Sequence, residues 1–366
     1  SRDKEGFGHG EGYLYPHAYR DHWVAQQYLP DALQGKVFYQ PGTVGFEADI
    51  AARVARHREA QLAAALDGHV TAAPPEILTF SPADKALERW IARTVSGLGQ
   101  RLEETREEAF AAAGCQRHWR VLDVSADTGL FTWEGLRQAP EGGIVSLTST
   151  DKAASMLRDR AQAVPDVRRP VVITGDIADL QILLAREGLG DMAFELVIGR
   201  NALGSRGHKG EALGHLHDAL APGGRLVLVE SIPKHTQRLY RLVDTTVLGR
   251  DLAAHLQEAE EAIYANADDP WVSWDDADLA ALAGDAGFEA ISLTPKSIDT
   301  DLVITESIIA RWFSASPIGE RPSYMQHLSG RILPADVGRI EQLFRSALSG
   351  QSVAWQSRSV LLCAAK

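Results

Sequence analysis

From Trp119 to Glu230 the apolar positions gather into short runs, separated by longer segments with helical spacing. The runs are 120–124 (RVLDV), 144–150 (IVSLTST), 171–174 (VVIT), 194–198 (FELVI) and 225–229 (RLVLV). Strand–helix alternation at this spacing predicts an α/β fold with a doubly wound, mainly parallel sheet. Beyond Glu230 the pattern predicts a long helical section up to Ala267, then a helix over 275–286 ended by Gly287. A strand near 289–294, a helix over 335–348 and a final strand Ser359–Leu362 close the chain.

Upstream the texture differs. Residues 47–66 are Ala-rich and amphipathic, with Ile50, Val54 and Leu62 near helical spacing. The stretch Asp67–Pro75 carries Gly68, Pro74 and Pro75 and reads as a break. Ser81-Pro82-Ala83-Asp84 has the chemistry of a helix start, with Ser as cap, Pro at the first position and an acid at the third. The helical pattern then runs through Leu87, Trp90, Ile91, Val95, Leu98 and Leu102 to Ala113, and Gly97 and Gly99 offer a break in it. Residues 1 to about 46 are rich in Gly, Tyr, His and Pro and show little periodicity. The expected organisation is a short, mainly helical or irregular N-terminal segment (1–66), a linker (67–76) and an α/β domain (77–366).

Composition narrows the classes. The 366 residues are 45% hydrophobic and 23% charged, ordinary for a globular protein. No apolar run is long enough to cross a bilayer, and the charged start Ser1-Arg2-Asp3-Lys4-Glu5 lacks the core of a signal peptide. Two cysteines, Cys115 and Cys363, exclude a disulfide scaffold and a Cys-rich zinc site, and fit a reducing cytoplasm. A net charge of −12 argues against a broad phosphate-binding surface, so contact with DNA is expected only indirectly.

Four features in the alternating region point to a nucleoside site. Val121-Leu122-Asp123-Val124-Ser125-Ala126-Asp127-Thr128-Gly129 takes a strand through small residues into a helix, where loop backbone can approach a ligand. Asp151 follows the second strand, where a carboxylate accepts ribose hydroxyls. Gly175-Asp176 follows the third strand, where an acid can accept from an adenine amino group. Leu220-Ala221-Pro222-Gly223-Gly224-Arg225 forms a helix end, a tight turn and a strand.

Over residues 117–235 the order of these features resembles the class I S-adenosylmethionine-dependent methyltransferases, with weaker extension to 279–288 and the last strand. The Pro222-Gly223-Gly224 turn and Phe194-Glu195-Leu196-Val197-Ile198-Gly199-Arg200-Asn201-Ala202-Leu203 carry that likeness. The resemblance implies S-adenosylmethionine as cofactor. It implies Asp123, Ser125, Asp127 and Gly129 at the methionine part, Asp151 at the ribose, and Asp176 with Ile177 at the adenine. Asn201 and Leu203 would lie near the sulfonium and the methyl acceptor. The family loop reads acid-x-Gly-x-Gly-x-Gly, whereas here Ser125 and Asp127 replace the first two glycines and only Gly129 remains. A side chain at 127 is expected to intrude on the ligand and to oppose its carboxylate, at about 1–4 kcal/mol for like charges about 4 Å apart. Asp127→Gly would then strengthen binding if the site is a weakened cofactor site, and leave binding unmeasurable if the pocket is filled or collapsed.

The N-terminal segment carries a second likeness. Gly6-Phe7-Gly8-His9-Gly10-Glu11-Gly12-Tyr13-Leu14-Tyr15-Pro16-His17, then Gln26-Gln27-Tyr28-Leu29-Pro30, Phe38-Tyr39-Gln40-Pro41 and Gly45-Phe46-Glu47 resemble the C-terminal end of the MgsA/RarA (Werner-helicase-interacting-protein-like) AAA+ ATPases. That domain is a helical oligomerisation module of proteins acting at stalled replication forks. The resemblance implies a homo-oligomer, and a natural fusion in which an ATPase precedes residue 1. No G-x-x-x-x-G-K-[ST] loop occurs in this chain, so it is not itself the ATPase. Tyr13, Tyr15, Trp23 and Tyr28 would be packing anchors.

Other candidates are weaker. His215 and His217, two apart on one helix, face different sides and make no metal pair. His17 and His22 lack ligand spacing, and the acidic run from Asp268 to Asp278 lacks the pattern of a calcium loop and reads as a helix start. No metal site is expected. Trp271-Val272-Ser273-Trp274 suits core packing better than a pocket cap. The loop at 125–130 lacks the glycines of a dinucleotide oxidoreductase. No general base is evident, and Glu230 and His235 are the nearest guesses. Two functions stand side by side: methyl transfer to an unknown acceptor, and a non-catalytic methyltransferase-fold module for assembly, protein interaction or cofactor sensing.

Overall fold

A computed structural model describes residues 41–42, 45–71, 85–317 and 321–366. The described residues fall into two compact units, divided after Gly199. Tyr13, Tyr15, His17, His22, Trp23 and Tyr28 lie outside the described residues.

The first unit holds β1 (Val121–Asp123), β2 (Ile144–Thr148), β3 (Val171–Thr174) and β4 (Phe194–Arg200), which the apolar runs predicted. They are parallel, with Leu122 opposite Val145 and Val197, and Ser146 opposite Val172. The β1 and β2 side chains are all buried, which is why these strands read as continuous apolar runs. Helices α3 (Leu130–Gln138), α4 (Asp151–Ala161) and α5 (Leu180–Arg186) make the crossovers.

Two long helices precede the sheet. Helix α1 (Phe46–Thr71) continues past Asp67, where a break was expected, and carries Gly68 inside it. An interior glycine costs about 1 kcal/mol against alanine, which is too little to end a helix by itself. Helix α2 (Lys85–Ala113) is unbroken at Gly97 and Gly99. α1 packs against α2, α3 and the turn at Ala126–Thr128. Ala60, Ala63 and Ala64 are fully buried in this packing, so small side chains bring the helices close.

Charge crosses the same contact. Arg56 and Glu59 on α1, Glu103 and Arg106 on α2, and Glu134 and Arg137 on α3 form one network. Arg106 is fully buried, and Glu59 and Glu134 nearly so. Isolated charges at that depth would cost several kcal/mol each, so the network holds only because every member is paired.

The second unit contains β5 (Leu220–Ser231), β6 (Glu289–Val303) and β7 (Ser352–Ala365), with β7 antiparallel to both others. The tight turn expected at Pro222-Gly223-Gly224 puts Gly223 in the left-handed region, at φ 74°. Helices α6 (Lys209–Ala219) and α8 (Asp276–Asp285) flank the strands. Asp275 and Asp278 form the capping box of α8, as the acidic run suggested. His217 packs edge-on against Phe288, and Val272 and Trp274 are buried, in the core packing expected of the 271–274 stretch.

The long helix expected after Glu230 is absent. Three short 3-10 turns occupy Pro233–His235, Leu239–Leu242 and Thr245–Leu248, and only then does α7 (Arg250–Tyr264) begin. Pro233 cannot donate to a helix ladder, and Gly249 at φ 85° separates the turns from α7. α7, α9 (Glu306–Trp312), α10 (Tyr324–Ser329) and α11 (Pro334–Leu348) enclose a separate core of Leu256, Ile309, Leu328, Ile340 and Phe344.

Candidate functional site

The carboxyl ends of β1, β2 and β3 stand side by side, and each leads into a loop named in the sequence. At β1, Asp123 is fully buried; it accepts from the Ser125 N–H (3.1 Å) and the Thr132 hydroxyl (2.8 Å). Thr132 also shares a hydrogen bond with Ser146 on β2 (2.9 Å). Burial pushes the Asp123 carboxyl up to about 6, against the pull of these donors. Asp123 therefore anchors the loop from beneath, with its oxygens committed inward.

Residues Ala126–Thr128 form a single 3-10 turn, and Gly129 follows at φ 71°. A Cβ at Gly129 would lie 2.6 Å from Trp133 Nε1 and 3.0 Å from Leu157 Cδ1. The retained glycine is thus the one whose backbone and surroundings both exclude a side chain. Positive φ among non-glycine residues occurs only at Asn201 and Ala290 in the described chain, so Ser125 and Asp127 have ordinary backbone.

Asp127, the side chain expected to intrude, is held by the neighbouring loop. Its carboxylate turns to the end of β2, accepting from the Ser149 N–H (2.7 Å) and the Ser149 hydroxyl (2.6 Å). These two bonds tie the β1 loop to the β2 loop, and the Gly175 N–H, donating to the Thr148 carbonyl (3.0 Å), ties β2 to β3.

Asp151 occupies the first turn of α4, behind the cap Thr150, whose hydroxyl accepts from the Ala153 N–H (3.2 Å). It is exposed, and an acid there is favoured by the helix dipole. Asp176 caps the turn Ile177–Asp179, accepting from the Ala178 N–H (2.8 Å). Ile177 is fully buried, backbone included.

The implied nucleoside cofactor can be tested against the groups at the strand ends. Buried Trp133 Nε1 has no hydrogen-bond partner, but it and Leu157 fill the space beside Gly129, so no ligand sits there. The exposed carboxylates of Asp127, Asp151 and Asp176 supply acceptors whose chemistry fits the hydroxyl and amino groups of a nucleoside.

The second unit holds Asn201, Ala202 and Leu203. Asn201 has φ 54°, its N–H donates to the Val229 carbonyl (2.8 Å), and its Oδ1 accepts from the Ser231 N–H (2.9 Å). Leu203 is fully buried, so its side chain is not open to an acceptor. Glu230 is buried beneath this segment and accepts from the N–H groups of Ala202 (2.8 Å) and Leu203 (3.2 Å). Burial pushes its carboxyl up to about 7. As a guess for a base, Glu230 is displaced by this geometry, because its oxygens clamp backbone. His235 is held below the usual histidine range by burial and by Arg358. Sequence reading missed Lys209, whose ammonium donates to the Arg206 and Pro270 carbonyls (2.6 Å each) and stands 5.3 Å over Trp274. No clustering in the sequence signals it. Among the described residues no group of His, Cys, Asp and Glu could hold a metal ion.

Comparison with known proteins bears on both parts of the chain. Residues 1–58 match the family described as MgsA AAA+ ATPase C terminal. That match ends inside α1. A 38-residue stretch is 53% identical to the replication-associated recombination protein A of Bacillus subtilis, covering 10% of this chain and 9% of that protein. The chain thus spans less than a tenth of that relative's length. A longer stretch of 183 residues is 28% identical to the ubiquinone/menaquinone biosynthesis C-methyltransferase UbiE of Pectobacterium carotovorum, covering 49% of this chain and 70% of that enzyme. Among solved structures, the YcgJ protein of Bacillus subtilis aligns with a TM-score of 0.44 at 12% identity, over 72% of this chain and 98% of that one. No described helix is long and apolar enough to cross a membrane.

Proposed function

We propose that the α/β part of this chain binds S-adenosylmethionine in the loop Asp123–Gly129 and transfers its methyl group to an acceptor, as part of a protein that also contains a replication-associated AAA+ ATPase. The observation that carries the reading is the β1 loop. Asp123 holds it from below, and Gly129 turns it at φ 71° with Trp133 and Leu157 packed against it. Asp127, Asp151 and Asp176 line the adjoining strand ends. The cofactor supplies an electrophilic methyl group on a sulfonium, and the protein's part is to hold donor and acceptor in line. The MgsA-type segment supports oligomerisation through the N-terminal part and only indirect contact with DNA. Its location would be cytoplasmic.

The test is isothermal titration of the folded chain with S-adenosylmethionine and S-adenosylhomocysteine, beside Gly129→Ala. Micromolar binding that Gly129→Ala abolishes supports the reading. No heat at millimolar ligand would sink it.

One observation favours a second reading, a cofactor-sensing module without catalysis. Helix α1, which begins in the MgsA-matched segment, packs on the turn at Ala126–Thr128. Occupancy of the loop would then be felt by the helix. Binding without turnover on any acceptor, with altered exchange protection in α1, supports this second reading.

A further inference from the structure

The end of β2 is short of negative charge. In nucleotide-binding Rossmann folds an acid there accepts the ribose hydroxyls. Here the residues are Thr148, Ser149 and Thr150, and each hydroxyl is already engaged. Thr148 donates to the Ile173 carbonyl (3.1 Å), Ser149 donates to Asp127, and Thr150 caps α4. Asp151 comes one residue later, on the helix itself. The carboxylate that does lie at the end of β2 belongs to Asp127, delivered from the β1 loop without backbone strain.

We propose that Asp127 is the ribose-reading residue of this chain, filling from the β1 loop the acceptor position that β2 leaves without an acid. The proposal rests on the nucleoside-cofactor reading above. Each carboxylate oxygen has two lone-pair directions. Ser149 uses one on each, through its N–H and its hydroxyl, and the second on each oxygen is left for a ligand. Two hydroxyls on neighbouring ribose carbons match two such acceptors on one carboxylate. The Ser149 donors fix the rotamer and hold the negative charge at the β2 end of the loop. The same clamp explains how an acid is tolerated at a position that the family fills with glycine: 127 has ordinary φ, and its carboxylate is drawn to Ser149 at the end of β2. On this account the replaced glycine and the missing β2 acid are one compensated change.

The experiment is calorimetric titration of the full chain with S-adenosylhomocysteine and its 2′-deoxy analogue. It compares wild type, Asp127→Asn, Ser149→Ala and Asp151→Asn, each shown to be folded by circular dichroism. Asp127→Asn weakens S-adenosylhomocysteine about 10- to 100-fold, the range for loss of charge-assisted hydrogen bonds. The 2′-deoxy analogue weakens for wild type but changes little further in Asp127→Asn, because the lost partners belong to one pair. Ser149→Ala, which loosens the carboxylate without removing it, weakens binding less than Asp127→Asn does, and so does Asp151→Asn. Unchanged or tighter binding in Asp127→Asn, or the loss appearing in Asp151→Asn instead, overturns the proposal while leaving the nucleoside site intact. A folded wild type that binds neither ligand overturns the nucleoside reading and this proposal with it.

Discussion

Glu134→Gln probes the contact between α1 and the α/β unit. Glu134 lies on α3, almost fully buried, and meets Arg56 Nε (3.1 Å), Arg137 (2.8 Å) and Gln138 (3.0 Å). Burial pushes its carboxyl up, but the Arg56 hydrogen bonds and the Arg137 charge outweigh that and hold it at about 2 instead of 4.5. A difference of about 2.5 pH units, at ~1.4 kcal/mol each, is roughly 3–4 kcal/mol of stability. Because the folded value is depressed, this stability is present above pH 4.5 and is lost as the pH falls towards about 2. Glu134→Gln is therefore expected to destabilise this unit by roughly 3–4 kcal/mol at pH 7, or a melting decrease of roughly 6–16 °C for a unit of this size. The gap between variant and wild type should narrow below pH 4.5. Urea unfolding gives the free energies, and hydrogen exchange followed by mass spectrometry localises the loss to α1, α2 and α3. A change below about 0.5 kcal/mol at pH 7, or a gap that is the same at pH 3 and pH 7, would refute the reasoning.

Three further outcomes follow from the same physics. Gly129→Ala puts a side chain at φ 71° within 2.6 Å of Trp133 Nε1, and should cost more than about 1 kcal/mol in thermal unfolding. Tyr324→Phe removes a 2.6 Å hydrogen bond to buried Glu260, which also accepts from the Leu239 and Tyr240 N–H groups; the expected loss is about 1.5–3 kcal/mol in denaturant unfolding. Burial raises Glu230 to about 7, so the folded state binds a proton more readily than the unfolded state between 4.5 and 7. Its contribution to stability is full below pH 4.5 and declines as the pH rises to about 7, and Glu230→Gln should flatten that slope in unfolding series at pH 5 and pH 8.

The strands were legible because burial on both faces leaves a continuous apolar signature, as at Ile144–Thr148 and Phe194–Arg200. The 231–249 segment was misread because Leu239, Leu242 and Leu248 have helix-like spacing, while Pro233 and Gly249 split the backbone into turns. The outer half of β6 (295–303) was missed because a two-stranded ribbon with β7 buries little and carries polar residues. The site loops were found from small residues and acids at strand ends, but the direction of a side chain was not. Nothing in the order of residues turns Asp127 towards Ser149, and nothing buries Arg106 or Glu134 on helix faces that would otherwise read as solvated. Those outcomes depend on which helices and loops meet in space.

Hydrogen exchange of the folded chain, with and without saturating S-adenosylhomocysteine, tests the central claim most directly. The account predicts slowed exchange in the peptides covering 121–136, 146–153 and 174–180. Unchanged exchange in all three at millimolar ligand, or protection confined to other segments, would contradict it.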